Sequence, residues 1–228
     1  MTNSAQLCGQ CHGNLRFPNT DHLSYNILTG TGGIGITNQV AMGEASCVDC
    51  HMFTSDADGS NSRMFHGHSW AVRVQEPGGG STSSCTKCHA MMDAAAAKAT
   101  IDAWRSEFQA LDATAQANVN RAAAALEGTS DTNLLATLQQ AQHNLTYAES
   151  DESGGVHNHK YLMALLGDAN AKAQGLLPVV SLERQGPNFA ISWRGSGTLQ
   201  RANDIAGPWH SPWTAVLRGV LTHAHPLD

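Results

Sequence analysis

The chain has 228 residues, a formal net charge of −6 and only 14% charged residues, enough for one or two small domains with a buried core. No run of 18 apolar residues occurs, which excludes a transmembrane helix. No Lys/Arg cluster is present either, so the footprint of a nucleic-acid or anionic-membrane binder is missing. Along the chain, residues 1–90 are rich in Gly, Ser, Thr and Asn with little periodicity. From Met91 to Glu127 the apolar residues Ile101, Trp104, Phe108, Leu111, Ala115, Val119, Ala122 and Leu126 recur at three- and four-residue steps, predicting one long amphipathic helix closed by Gly128. A second helix is predicted over Thr132 to Glu149, with Leu134, Leu138, Ala141 and Leu145 on one face. A third runs from Asn158 to Gln174 and stops at Gly175 and Pro178. Beyond it Val179 to Glu183, Asn188 to Trp193 and Thr198 to Gln200 read as short strands between Gly and Pro turns.

The chemistry lies in 6 cysteines and 12 histidines. Every cysteine belongs to one of three copies of Cys-x-x-Cys-His: Cys8, Cys11 and His12; Cys47, Cys50 and His51; Cys85, Cys88 and His89. Composition alone predicts roughly 0.008 copies, so chance is no competitor. Two thiols three positions apart on one backbone turn can form thioethers to the two vinyl groups of a haem, while the adjacent imidazole ligates its iron. Zinc knuckles pair to give four ligands, and a disulfide framework needs no histidine after each second cysteine, so both fit poorly. The expectation is three covalently bound haem c groups. A region as loop-rich as 1–90 cannot offset its ordering entropy unaided, and haem macrocycles supply apolar surface for it to pack on. The expected parts are a trihaem-binding region at 1–90, a helical region at 91–176 that supplies a distal ligand, and a small β-rich appendage at 177–228. The fold class is mainly α, with a loop-rich multihaem core and a long helical hairpin.

With its flanks, this motif order resembles the multihaem cytochromes c of the ammonia-forming cytochrome c nitrite reductase superfamily and their electron-transfer relatives, over about residues 5 to 175. The resemblance rests on Leu7 to His12; Asp21-His22-Leu23 followed by Leu28 to Gly33; Cys47 to Met52; His66-Gly67-His68-Ser69-Trp70; Cys85 to His89; and Gly155-Val156-His157-Asn158. It implies His22, His68 and His157 as distal haem ligands. It further implies that His157 serves the haem at Cys47/Cys50, His68 that at Cys8/Cys11, and His22 that at Cys85/Cys88. It also implies that the long helix can form a seam in a homo-oligomer.

Other residues compete for these roles. His66 stands two residues from His68 and stays open as its rival. His159 reads as a surface residue at a helix start, and His143 as part of a solvated helix face. His210, His223 and His225 fall in the β tail, where the last two offer a site for a stray metal ion. Methionine is the main chemical alternative to a distal histidine, but Met52, Met91 and Met92 sit too close to their own motifs, and core packing is the reading for these and Met64. Gly30-Thr31-Gly32-Gly33-Ile34-Gly35 fits the dinucleotide pattern, yet no long strand precedes it and no useful helix follows. Asp56 to Asn61 looks like half a calcium loop but has Phe65 where the closing glutamate belongs.

The expected function is electron transfer through low-spin bis-His haems between redox partners. A nitrite- or hydroxylamine-reducing enzyme, or a fragment of one, is the alternative; it needs an open distal position, whereas all three motifs end in His. A filament-forming cytochrome is the third reading. Thioether attachment places such proteins in the periplasm, at the cell surface or outside the cell. Met1 to Gln6 has neither a basic n-region nor an apolar h-region, so either a leader precedes the chain or the mature form is what is read.

Overall fold

The computed structural model describes residues 4–13, 23–36, 45–51, 73–75, 81–185, 188–194 and 219–223. The chain is mainly α. Four short helices come first: α1 (Ser4–Cys8), α2 (Ser24–Leu28), α3 (Cys47–His51) and α4 (Cys85–Cys88). Between α3 and α4 the strands β1 (Arg73–Gln75) and β2 (Ser81–Ser83) pair antiparallel. Three long helices follow, α5 (Ala94–Ala125), α6 (Thr132–Glu149) and α7 (His159–Leu176). A three-stranded antiparallel sheet closes the described chain, in the order β3 (Val179–Gln185), β4 (Asn188–Arg194) and β5 (Gly219–His223).

Helix α5 begins three residues later than its apolar pattern suggests, because Asp93 caps it: the Asp93 Oδ1 accepts the Ala96 N–H at 2.7 Å. Gly128, at φ +78°, turns the chain after α5 as expected, and Asp131 caps α6 by accepting the N–H groups of Asn133 and Leu134. Helix α7 runs through Gly175 and stops just before Pro178. The stripe predicted for α5 is the buried one, with Ile101, Phe108, Ala115, Val119, Ala122 and Leu126 all in the core. Leu138, Ala141 and Leu145 of α6 are buried too, as are Leu162, Leu165 and Leu166 of α7. Each buried Leu or Phe contributes about 1.5–3 kcal/mol of hydrophobic stabilisation.

The chain divides into two compact units, residues 1–113 with 143–167, and residues 114–142 with 168–228. In the first unit the C-terminal end of α6 lies near the middle of α5, where Glu149 feels the charge of Asp112. In the same unit His159 of α7 stacks on Trp104 of α5, with centroids 5.2 Å apart and planes 10° from parallel. In the second unit the Asn118 side chain of α5 donates to Asn170 of α7 at 2.7 Å. The β3–β4 hairpin runs in register from Val179↔Arg194 to Gln185↔Asn188, and β5 pairs with β4 from Phe189↔His223 to Trp193↔Gly219. The strand at β5 had no counterpart in the sequence reading, while Thr198 to Gln200 lies outside the described residues.

Candidate haem site

Each Cys-x-x-Cys-His motif sits on a helical turn of the first unit. The second motif is helical throughout as α3. The first starts at the end of α1 and continues as a turn, in which the Cys11 and His12 N–H groups both reach the Cys8 carbonyl, at 3.1 and 2.9 Å. The third forms α4, with His89 as its C-terminal cap, donating its N–H to the Cys85 carbonyl at 2.9 Å. This local geometry puts cysteines i and i+3 on the same side of the turn, as two adjacent vinyl groups require. Short helices of this length are marginal alone, so side chains brace them. Ahead of α3, Asp49 Oδ2 accepts both the Ser46 N–H at 2.8 Å and the Ser46 hydroxyl at 2.9 Å. Ahead of α4, Thr86 donates to the Ser83 carbonyl at 2.8 Å.

The motifs converge. Cys8 and Cys47 hydrogen-bond through their side chains, and Cys50 neighbours Ser84, Cys85 and Cys88. Burial, with Cys8 alongside, pushes the Cys47 thiol up to about 11, and burial followed by the nearby Cys85 raises Cys50.

The distal candidates divide. His22 and His68, with the rival His66, lie outside the described residues, as do Met52, Met64, His210, His225 and the segment Asp56 to Asn61. His157 is described, and its ring faces His51: the centroids are 6.0 Å apart and the planes tilted by 59°. Two imidazoles on opposite sides of one metal, each bound at about 2 Å, have centroids roughly 6 Å apart. The separation thus fits an iron between the proximal histidine of the second motif and the histidine that the resemblance assigns to it.

The loop ahead of α7 places this ring. Gly154 and Gly155 take positive φ, +65° and +100°, and a Cβ on Gly155 would lie 2.9 Å from that of Phe108. The Ser153 hydroxyl accepts the Val156 and His157 N–H groups at 2.8 and 3.0 Å, and His157 Nδ1 lies 2.5 Å from Asp151 Oδ1. Next in the chain, the fully buried Asn158 caps α7 through its Oδ1, which accepts the Tyr161 N–H.

The glycine-rich turn at 30–35 is a clasp. Tyr147 donates to the Thr31 carbonyl at 2.7 Å, the Gly33 N–H donates to Tyr161 Oη at 2.7 Å, and the Asn144 amide both accepts from Ile34 N–H and donates to its carbonyl. The glycines let helices α6 and α7 approach the backbone this closely. His143 is exposed as expected, but its Nε2 also meets the Gly32 carbonyl at 2.9 Å and its ring stacks on Tyr147. His159 departs from the surface reading: it is largely shielded, stacks on Trp104 and contacts Glu107 at 3.0 Å. Met91 departs from the core reading, being fully exposed. Asp151, Asn144, Tyr147 and Tyr161 escaped the sequence reading. The only local signal was the Asp-x-Ser-Gly-Gly run before His157.

A family profile described as cytochrome c552 matches residues 37–183, well over half of the chain. The chain belongs to the cytochrome c552 family. As a member with three Cys-x-x-Cys-His motifs it is a multihaem c-type cytochrome, and its cofactor is covalently bound haem c. Among solved structures, the outer cell wall cytochrome OcwA is similar at 23% identity and a TM-score of 0.58, over 75% of this chain. This cytochrome c552 chain spans 35% of the length of OcwA, and the likeness concerns the fold alone. An undecahaem cytochrome from the S-layer of Carboxydothermus ferrireducens, at 22% identity, covers 75% of this chain and 28% of its own, with a TM-score of 0.46. The cytochrome c nitrite reductase of Desulfovibrio desulfuricans, at 18%, covers 67% and 32%, with a TM-score of 0.43. No curated protein matches the chain. No described helix is long and apolar enough to cross a membrane.

Proposed function

We propose that this cytochrome c552 carries three haem c groups and works as an electron relay between redox partners, outside the cytoplasmic membrane. The observation that carries the reading is the convergence of the motifs, with Cys8 against Cys47 and Cys50 against Cys85 and Cys88. Cofactors tethered at neighbouring thiols are held close together, and closeness is what electron hopping needs. Haem supplies the one-electron chemistry, while the chain sets spacing, axial ligation and solvent access. In this reading His12, His51 and His89 are the proximal ligands and His22, His68 and His157 the distal ones. The 6.0 Å separation of His51 and His157 supports the pairing at Cys47/Cys50. Residues 1–90 bind the haems, residues 91–176 supply His157, and residues 177–228 form a β appendage.

The test is an intact mass and a ferric electron paramagnetic resonance spectrum of the purified holoprotein. Three haem increments, low-spin signals alone and no nitrite or hydroxylamine turnover are expected. A high-spin haem with turnover overturns the relay in favour of a catalyst, and any other increment overturns the count.

A further inference from the structure

We infer that Asp151 is a positioning residue that fixes the ring of His157 and lowers the reduction potential of the haem held by Cys47 and Cys50. The inference rests on the proposed role of His157 as that haem's distal ligand.

The Asp151 side chain is 0% exposed, and its two oxygens are both engaged: Oδ1 with His157 Nδ1 and Oδ2 with the Ser153 hydroxyl, each at 2.5 Å. A carboxylate only accepts, so His157 must carry its proton on Nδ1. That tautomer leaves the Nε2 lone pair for a metal, and the ring that bears it faces His51. Burying a carboxylate is costly unless a positive or strongly donating partner compensates it. Ser153 and a neutral imidazole compensate it in part. A ring that passes charge to an iron on its other nitrogen compensates it better, and better for iron(III) than for iron(II).

Two effects then act in the same direction. The hydrogen bond raises the basicity of the imidazole, as carboxylate–histidine–metal arrangements do, and a more basic ligand favours the ferric state. The desolvated negative charge beside the ligand favours that state too. Loop geometry alone does not call for an acid here. Ser153 already accepts the Val156 and His157 N–H groups, and Gly154 and Gly155 already turn the chain.

The experiment compares the holoprotein with its Asp151→Asn, Ser153→Ala and His157→Ala variants by spectroelectrochemical titration and ferric electron paramagnetic resonance. In D151N one haem is expected to shift to a more positive potential while the others hold, with three haems still bound. The haem that shifts is the one that H157A converts to high spin. S153A, which takes the Ser153 donor from Asp151 but leaves the acid, is expected not to show the positive shift of D151N. If D151N fails to assemble, the unsubstituted protein still decides. The haem that H157A converts must show the narrowest spread of g values of the low-spin set, the mark of a strongly donating imidazole, and a spread like the others overturns the inference. Unchanged potentials in D151N, or equal shifts in D151N and S153A, overturn it while leaving His157 as a ligand. An H157A variant that stays entirely low-spin overturns the ligand assignment itself.

Discussion

Asn158 donates from Nδ2 to the carbonyl oxygens of Ile27 at 3.1 Å and Leu28 at 3.3 Å, tying the residue after His157 to the helix that follows His22 in the chain. Its Oδ1 meanwhile caps α7. One buried amide thus links two segments that each follow a proposed ligand, Asn158 one position after His157 and Ile27 and Leu28 five and six positions after His22. Replacing it removes a cap and takes the Nδ2 donor from both carbonyls, of which Ile27 keeps the Gly30 N–H. Asn158→Ala is expected to cost about 2–4 kcal/mol, read as a lower denaturant midpoint, and Asn158→Asp, which keeps the cap and loses the donor, should fall between. A wild-type midpoint for N158A contradicts the bridging role.

The glycine-rich turn makes a second prediction in which packing and backbone strain separate. At Gly33 φ is not positive, but an added Cβ would lie 2.3 Å from Leu165 Cδ2 and 2.8 Å from Tyr161 Oη. At Gly35 φ is +77° and the space around a Cβ is open. Gly33→Ala should therefore cost roughly 1–3 kcal/mol through overpacking, with the Tyr161 bond displaced, whereas Gly35→Ala should cost about 1 kcal/mol through the left-handed backbone alone. Thermal unfolding of the two variants checks the order. The same contacts explain why the dinucleotide reading fails, since the turn is filled by Tyr147, Tyr161 and Asn144.

The proximity of the motifs predicts that haem loss is not local. Cys50 lies beside Ser84 and Cys85, so the second and third motifs share one environment. A Cys85→Ala/Cys88→Ala double variant is expected to lose one haem increment by mass, to shift the potential of the haem at Cys47/Cys50, and to become more protease-sensitive between residues 1 and 90. Independent haems would show the mass loss with no change in the remaining potentials.

What could be read from sequence is what short-range periodicity and spacing encode. Ile101, Phe108, Ala115, Val119 and Ala122 form the buried stripe of α5 because apolar residues at helical steps have one face to hide. The cysteine pairs announce themselves because the thioether chemistry demands adjacency in the chain. The long-range braces behind the His157 loop and the glycine-rich turn were not legible in the same way. Asn158 meets Ile27 across 131 positions and Asn144 meets Ile34 across 110, and no local pattern reports a partner that distant. His159 was misjudged for a related reason: its stacking partner Trp104 and its contact Glu107 sit on another helix. The Asp93 cap and the Ser46–Asp49 pair were within reach, since both follow ordinary helix-start chemistry.

A last prediction concerns charge in the helical hairpin. Asp112 Oδ1 is buried and has no hydrogen-bond partner among the described residues, and burial raises its pKa. Glu149 is raised as well, first by burial and then by the charge of Asp112. Carboxyls with raised folded pKa values hold protons more tightly when folded. Their contribution to stability is therefore full below the unfolded value of about 4 and is lost as pH rises through the folded values. Asp112→Asn removes the charged form, so it is expected to raise the thermal midpoint at pH 7 by roughly 1–3 °C and to raise it less at pH 3, below the unfolded value, where folded and unfolded chains both tend to hold the proton. Unfolding curves of the holoprotein and the variant at the two pH values check this. An equal gain at both would assign the effect to packing of the amide rather than to relief of a buried charge.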